Sequence, residues 1–299
     1  MKILTLCFAL LAAQAPAPAP APAPAQTAVP DMAAVPGRPN LMQTGVPAVP
    51  DAVWQRAEQL LEARSARLLD VSANGEAVLV ATRFGQSMQL HVVEGAMGAR
   101  TQITFGREPV NQGAFLPGDP MVVFFLRDVG GSENWQIHRL DRRTGQSERI
   151  TDGKSRHESL VLSPDGRLLA YGSTARNGKD TDVLVAETGR PRDARILFEE
   201  PGTWHPVDFS RDGRQLLVRR YRSIADSDLF LVEVATGARR ALTPAEGKGS
   251  VGAARFSADG KSVYFVTDRH GDFDELYRLD LADLAAAPRP LTRNLRWDV

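Results

Sequence analysis

Between residues 205 and 243, apolar positions come in short runs separated by turn residues. Pro206 to Phe209 is one run, and Asp212-Gly213 is the two-residue signal of a hairpin turn. Gln215 to Tyr221 and Asp228 to Val234 follow, and Thr236-Gly237 turns the chain into Arg239 to Thr243. The pattern predicts four short antiparallel strands. Leu216-Leu217-Val218 is continuous rather than alternating, so both faces of that strand must be covered.

The pattern recurs. Ser163-Pro-Asp-Gly166, Ser210-Arg-Asp-Gly213 and Ser257-Ala-Asp-Gly260 stand 47 residues apart. Ser72-Ala-Asn-Gly75 precedes them by 91, and a degenerate copy, Leu116-Pro-Gly-Asp119, fills that gap. The residue before each turn is apolar: Val71, Phe115, Leu162, Phe209 and Phe256. A second marker closes each unit: Ile103-Thr104, Ile150-Thr151, Leu197-Phe198, Leu242-Thr243 and Leu291-Thr292. Two markers holding one period define a repeat, and four strands per unit of this length describe a propeller blade. The predicted fold is an all-β propeller with five complete blades over about 68–104, 112–151, 157–198, 204–243 and 251–292. Trp297 lies 93 residues after Trp204, so it is expected to open a sixth blade at 296, and the chain is expected to be part of a longer protein whose propeller has seven or eight blades.

The first 66 residues read differently. Met1-Lys2, the apolar run Ile3 to Ala13 and Ala13-Gln14-Ala15 predict a signal peptide over 1–15 and a periplasmic or secreted protein. The apolar run is too short for a membrane span. Half of the 20 prolines fall in the first 50 residues, which predicts a Pro/Ala-rich disordered tether over 16–50. A short helix is expected over 51–66, with Asp51 as its N-cap and Val53, Trp54, Ala57, Leu60 and Leu61 on a face packed against the edge of the propeller, which occupies 67–299.

Lys plus Arg and Asp plus Glu total 36 each, and this balance argues against a nucleic-acid partner. Cys7 is the only cysteine, which excludes a disulfide framework and a cysteine-ligated zinc site. The period itself sorts the remaining candidates, because a structural position recurs and a catalytic one need not. His91 and His138 continue as Leu184, Phe230 and Tyr277, which marks a packing position rather than a metal site. Glu94, Asp141, Glu187, Glu233 and Asp280 recur in all five units as a fold device, accepting N–H groups of the next turn. Gly247-Lys-Gly249-Ser-Val-Gly252 matches a dinucleotide fingerprint in letters but runs into a strand, so no cofactor is expected. Glu199-Glu200, adjacent acids between blades, is the candidate substrate-binding pair, suited to a peptide's amino terminus; a solvated charged loop is the plainer reading. Arg127-Asp128, Arg219-Arg220, Arg222 and His270 sit near strand ends without a catalytic signature. No Gly-x-Ser-x-Gly elbow is present, and no catalytic residue is assigned.

The order of leader, Pro-rich segment, helix and repeats resembles secreted bacterial peptidases of the prolyl oligopeptidase family. Thr82-Arg-Phe-Gly85, Phe125-Leu-Arg-Asp-Val-Gly-Gly131, Thr151-Asp-Gly-Lys-Ser155 and Ala253-Ala-Arg-Phe-Ser-Ala-Asp-Gly260 look like their N-terminal propellers. The resemblance implies a propeller that gates a C-terminal α/β-hydrolase domain carrying a Ser-Asp-His triad, with peptides as substrates. None of those triad residues lies in this chain, which alone is expected to be inactive. TolB-like propellers share the Ser-Pro-Asp-Gly turn and imply the alternative, a non-enzymatic periplasmic propeller that binds proteins or envelope components.

Overall fold

A computed structural model describes residues 33–35, 38–45, 47–62, 65–243 and 247–299. The chain divides into two compact units, Met1–Ala63 and Arg64–Val299. The expected signal peptide lies outside the described residues, as does the first half of the expected tether.

In the first unit, β1 (Ala33–Val35) pairs antiparallel with β2 (Arg38–Gln43), so this part of the expected tether forms a short ribbon. Prolines thin out there, which leaves backbone N–H groups for a ladder. Helix α1 covers Asp51–Leu61, shorter than expected. Pro50, not Asp51, is its N-cap: its carbonyl accepts the N–H groups of Val53 and Trp54 at 2.9 and 3.0 Å. Asp51 sits in the first turn, where a carboxylate meets the positive end of the helix dipole. The helix buries no residue, and Val53, Trp54, Leu60 and Leu61 are exposed.

The second unit is a β-propeller of five four-stranded antiparallel sheets. Blade one comprises β3 (Ala66–Val71), β4 (Ala77–Thr82), β5 (Gln89–Glu94) and β6 (Arg100–Gln102). Blade two comprises β7 (Val110–Leu116), β8 (Asp119–Arg127), β9 (Gln136–Asp141) and β10 (Gln146–Arg149). Blade three holds β11 (His157–Leu162), β12 (Leu168–Ser173), β13 (Asp182–Glu187) and β14 (Arg195–Ile196). Blade four holds β15 (Thr203–Phe209), β16 (Gln215–Ser223), β17 (Asp226–Glu233) and β18 (Arg239–Ala241). Blade five holds β19 (Val251–Phe256), β20 (Ser262–Thr267), β21 (Glu275–Asp280) and β22 (Arg289–Pro290).

Both repeated markers have a hydrogen-bonding reason. In the Ser-x-Asp-Gly turn the serine Oγ donates to the aspartate (2.6 Å in Ser163–Asp165, 2.7 Å in Ser210–Asp212) and accepts the N–H five residues on (2.9 Å from Leu168 and from Gln215). Asp165 and Asp212 in turn accept the N–H groups of Arg167 and Arg214 at 3.0 and 3.1 Å. In the closing marker the threonine Oγ1 accepts a third-strand N–H just past the end of the short fourth strand. Thr104 takes Leu90, Thr151 takes Ile137, Thr243 takes Leu229 and Thr292 takes Leu276, at 2.8–3.1 Å. The hydroxyl thus stands in for the backbone carbonyl that the shortened strand does not supply. Blade three carries Phe198 instead, whose ring meets Trp204 edge-on at 5.1 Å.

Four buried cores lie between consecutive blades. Leu79 and Leu90 meet Phe115 and Phe125, Phe124 and Ile137 meet Leu169 and Tyr171, Val183 and Val185 meet Trp204 and Val218, and Leu217 and Leu229 meet Phe265 and Tyr277. Alternate residues of one strand serve different cores. Phe124 faces blade three and Phe125 faces blade one, so continuous apolar runs follow from having a neighbour on both sides.

The first strands of blades two, three and four are each latched to the residue just before the third strand of the preceding blade. Val110 donates its N–H to Met88 O at 2.9 Å, His157 to Trp135 O at 3.1 Å and Trp204 to Thr181 O at 3.1 Å. Val299 repeats this bond to Asp274 O at 3.2 Å, the start of another blade. Val299, not Trp297, therefore occupies the register of Trp204. Trp204 is 1% exposed and Trp297 71%.

Candidate functional site

Antiparallel topology places the links between strands one and two and between three and four at one end of the propeller. The tight Ser-x-Asp-Gly and Thr-Gly turns repeat there. The opposite end carries the links between strands two and three and between blades, which differ from blade to blade. Positions whose chemistry does not repeat gather at this variable end.

First strands line a central channel of about 540 Å³, contributed by residues of all five blades, among them Arg67, Asp70, Gln112, Asp208 and Arg255. Every first strand is bulged near its middle, which redirects side chains into the channel. The position five residues before each turn carries Arg67, Asn111, Glu158, His205 and Gly252, a ring at the variable end. Arg67 donates to the backbone carbonyl of Asn111 and, at 3.3 Å, to its Oδ1. Deeper in the channel, Asp70 accepts the Phe115 N–H and Asp208 the Phe256 N–H, each at 2.8 Å and each from the next blade. Burial raises both carboxyls above the usual aspartate range, and the backbone hydrogen bonds offset part of that shift.

Beside the channel mouth lies a recess of about 430 Å³ between blades two, three and four, lined by Asn134, Arg156, Glu158, Lys179, His205 and Tyr221, with threonine hydroxyls. His205 Nδ1 lies 3.2 Å from Ser159 Oγ and 3.5 Å from Glu158 Oε1. Both contacts fall on the same ring nitrogen, so the three residues form no nucleophile–base–acid relay, which needs both nitrogens. Burial pushes the His205 imidazole below its ordinary value; Glu158 opposes this, and Arg219 and Arg156 reinforce it. Ser159 has a φ of 58°, and it is the one non-glycine residue with positive φ inside a strand among the described residues. Tyr221 faces the His205 ring edge-on at 6.4 Å.

Glu199 and Glu200 also lie at the variable end, between β14 and β15. Glu200 is engaged by Arg239, whose guanidinium lies 4.9 Å from the Phe198 ring centre and 5.8 Å from that of Trp204. Glu199 is exposed and adds to the field that raises the Arg176 guanidinium. His91 and His138 pair with Gln102 and Arg149 at the register where Leu184 faces Ile196, one shared position on the third strand. His138 stacks on Phe125 at 5.3 Å, and burial lowers its imidazole to about 4. The five acids do not share one device. Asp141 and Asp280 accept turn N–H groups at 2.9 Å, whereas Glu94 pairs with Arg142 and Glu187 with Arg190, because the longer side chain overreaches the turn. Arg222 holds Asp226 through two 2.7 Å bonds, and Arg269 bonds Asp228 at 2.6 Å. Gly247 to Gly252 leads into β19, not into a helix. No group of three or more metal-ligating side chains stands together among the described residues. Sequence reading passed over Glu158, Ser159 and His205. The spacing of 47 between 158 and 205 is the one signal they carry, since it puts both at the same register on neighbouring first strands.

No family model matches the chain. An uncharacterized protein of Agrobacterium fabrum is 30% identical over 113 residues, 37% of this chain and 36% of that protein. Among solved structures, prolyl endopeptidases match with a TM-score of 0.64 and 16% identity over 80% of this chain and 38% of theirs. An oligogalacturonate lyase in complex with manganese matches with a TM-score of 0.61 and 15% identity, covering 75% of this chain and 64% of that one. TolB from Acinetobacter baumannii matches with a TM-score of 0.53 and 18% identity, covering 84% and 61%. The chain thus spans less than two thirds of each of these proteins. At such identities the likeness establishes the propeller fold.

Proposed function

We propose that these blades are the gating and substrate-selecting propeller of a secreted serine peptidase of the prolyl oligopeptidase kind, with its catalytic domain outside this chain. The carrying observation is the axial groove lined by the first strands of all five blades, with Arg67, Asp70, Asp208 and Arg255 among its lining residues. A groove of about 540 Å³ suits an extended peptide segment better than a folded domain. The match to 38% of the prolyl endopeptidase chain supports the reading, since it leaves room there for a second domain. Within it, Glu199 and Glu200 are the residues to meet a peptide's amino terminus, Glu199 with the more exposed carboxylate. The chain would contribute selection, not bond cleavage.

The test is to read the coding sequence past codon 299 and to treat the secreted gene product with a fluorophosphonate. Labelling of a serine outside these blades, with peptide hydrolysis, is expected. A product that neither labels nor cleaves peptides would sink the peptidase reading. The TolB match over 84% of this chain favours the second reading, a periplasmic propeller that binds proteins or envelope components without catalysis.

A further inference from the structure

We infer that the recess beside His205 binds the free carboxylate end of a peptide, with Arg156 and Lys179 as its charge partners. The inference deepens the peptidase reading and rests on it. The recess lies at the variable end, where side-chain identities change from blade to blade, and Glu158 and His205, at one register on neighbouring first strands, line it.

Charge decides the ligand class. The recess is lined by Arg156 and Lys179, with one carboxylate, Glu158, opposing them at 3.3 Å from Arg156. Asp180 is not part of the lining; it accepts the Gly202 N–H and the Asn177 amide, each at 2.8 Å, and lies 3.5 Å from Arg176. Arg219 acts on His205 from behind. The balance is one net positive charge, which suits a monoanion better than a phosphate dianion. A guanidinium fork matches a carboxylate in plane. The Tyr221 ring, 40% exposed, offers the last residue's side chain an apolar wall, and Asn134 and Thr203 also line the recess and offer hydrogen-bonding groups to a peptide. A volume of about 430 Å³ holds one or two residues.

Backbone strain points to the same place. Ser159 holds the left-handed conformation within a bulged strand, where a non-glycine residue is disfavoured. That conformation sets Ser159 Oγ against His205 Nδ1, so a residue outside the lining fixes the His205 ring before any ligand arrives.

The test is calorimetric titration of the 299-residue chain with a pentapeptide as the free acid and as its C-terminal amide. The acid is expected to bind at least about tenfold more tightly, the effect of one charge-assisted contact. Arg156→Gln and Lys179→Gln should each bring the affinity for the acid toward that for the amide. Their side chains are solvent-exposed, so the thermal midpoint should not move. Equal affinities for acid and amide, no binding of either, or variants without effect would overturn the inference. Preference for a galacturonate oligomer lost in the same variants would overturn it too, assigning the recess to sugar acids. Fluorophosphonate labelling of the gene product, run in parallel, separates the two failures. A labelled product whose blades ignore the peptide acid loses the recess alone; an unlabelled product whose blades bind it loses the peptidase reading alone.

Discussion

Aspartates of this propeller fall into two populations with opposite responses to pH. Asp212 is held below the usual aspartate range, first by the Ser210 hydroxyl and then by the Arg214 N–H. Its folded value is the lower one, so its contribution is present above the unfolded value of 3.8 and is lost as pH falls through the folded one. Asp208 is raised by burial, so its ionised form disfavours folding, and stability declines as pH rises from 3.8 through the folded value. Asn keeps an oxygen for the Phe256 N–H without a charge. Asp208→Asn should therefore leave the thermal midpoint unchanged or raised at pH 7, with the gain vanishing near pH 3.5. Asp212→Asn should lower the midpoint at pH 7 and approach the parent in acid. Two variants moving together with pH would show that burial does not govern Asp208. Candidate-site residues were less legible than these. Glu199 and Glu200 stand out as an acidic pair, but their engagement by Arg239 and Arg176 depends on neighbours about 24 to 39 residues away. Ser159 and His205 carry no local signal, because their meaning arises only when two first strands lie side by side.

Elements repeat faithfully where a turn is chemically determined. Glycine closes each Ser-x-Asp-Gly turn with positive φ, 68° at Gly213 and 70° at Gly260. Gly237, in the Thr-Gly turn of blade four, has a φ of 73° and a second constraint. A Cβ there would stand 2.1 Å from the carbonyl oxygen of Leu197 in blade three, whereas one on Gly260 would meet nothing within 4 Å. Gly260→Ala should cost about 1–2 kcal/mol for the left-handed conformation alone. Gly237→Ala should cost clearly more, because one blade must shift against the next; equal costs in denaturant melts would refute the close approach. Phe209, which precedes the turn and is 1% exposed, should lose about 3–5 kcal/mol on substitution by alanine. The strand count and blade order were readable because turn residues and closing threonines are dictated by local hydrogen bonds. Asp51 is a good capping residue displaced by Pro50, whose carbonyl already serves the first turn. Trp297 imitates Trp204 in type but not in register, since the last inter-blade link is longer.

Five sheets with four shared cores leave two sheets with one partner each. Blades two, three and four are covered on both faces, while blade one shows Leu68 and Val71 to solvent and blade five shows Leu291 and Leu295. Stability in such an array is a sum of sheet and nearest-neighbour contributions, so it should grade along the chain rather than be uniform. Side-chain latches follow the same order. Asp70 ties blade one to blade two, and Asp208 ties blade four to blade five, each through one buried carboxylate accepting one amide. An end blade is thus held by one core and few polar ties, and its opening exposes one interface rather than two. Native-state hydrogen exchange on the 299-residue chain should show slowest exchange in β12, β13 and β16, and faster exchange in β5 and β21. Those strands make equivalent ladders, so a difference among them reports neighbours rather than hydrogen-bond count. Asp208→Ala should widen the gap by speeding β20 and β21 while leaving β12 as it was. Uniform protection across all five blades would mean that the sheets open as one cooperative unit, and the nearest-neighbour account would fail.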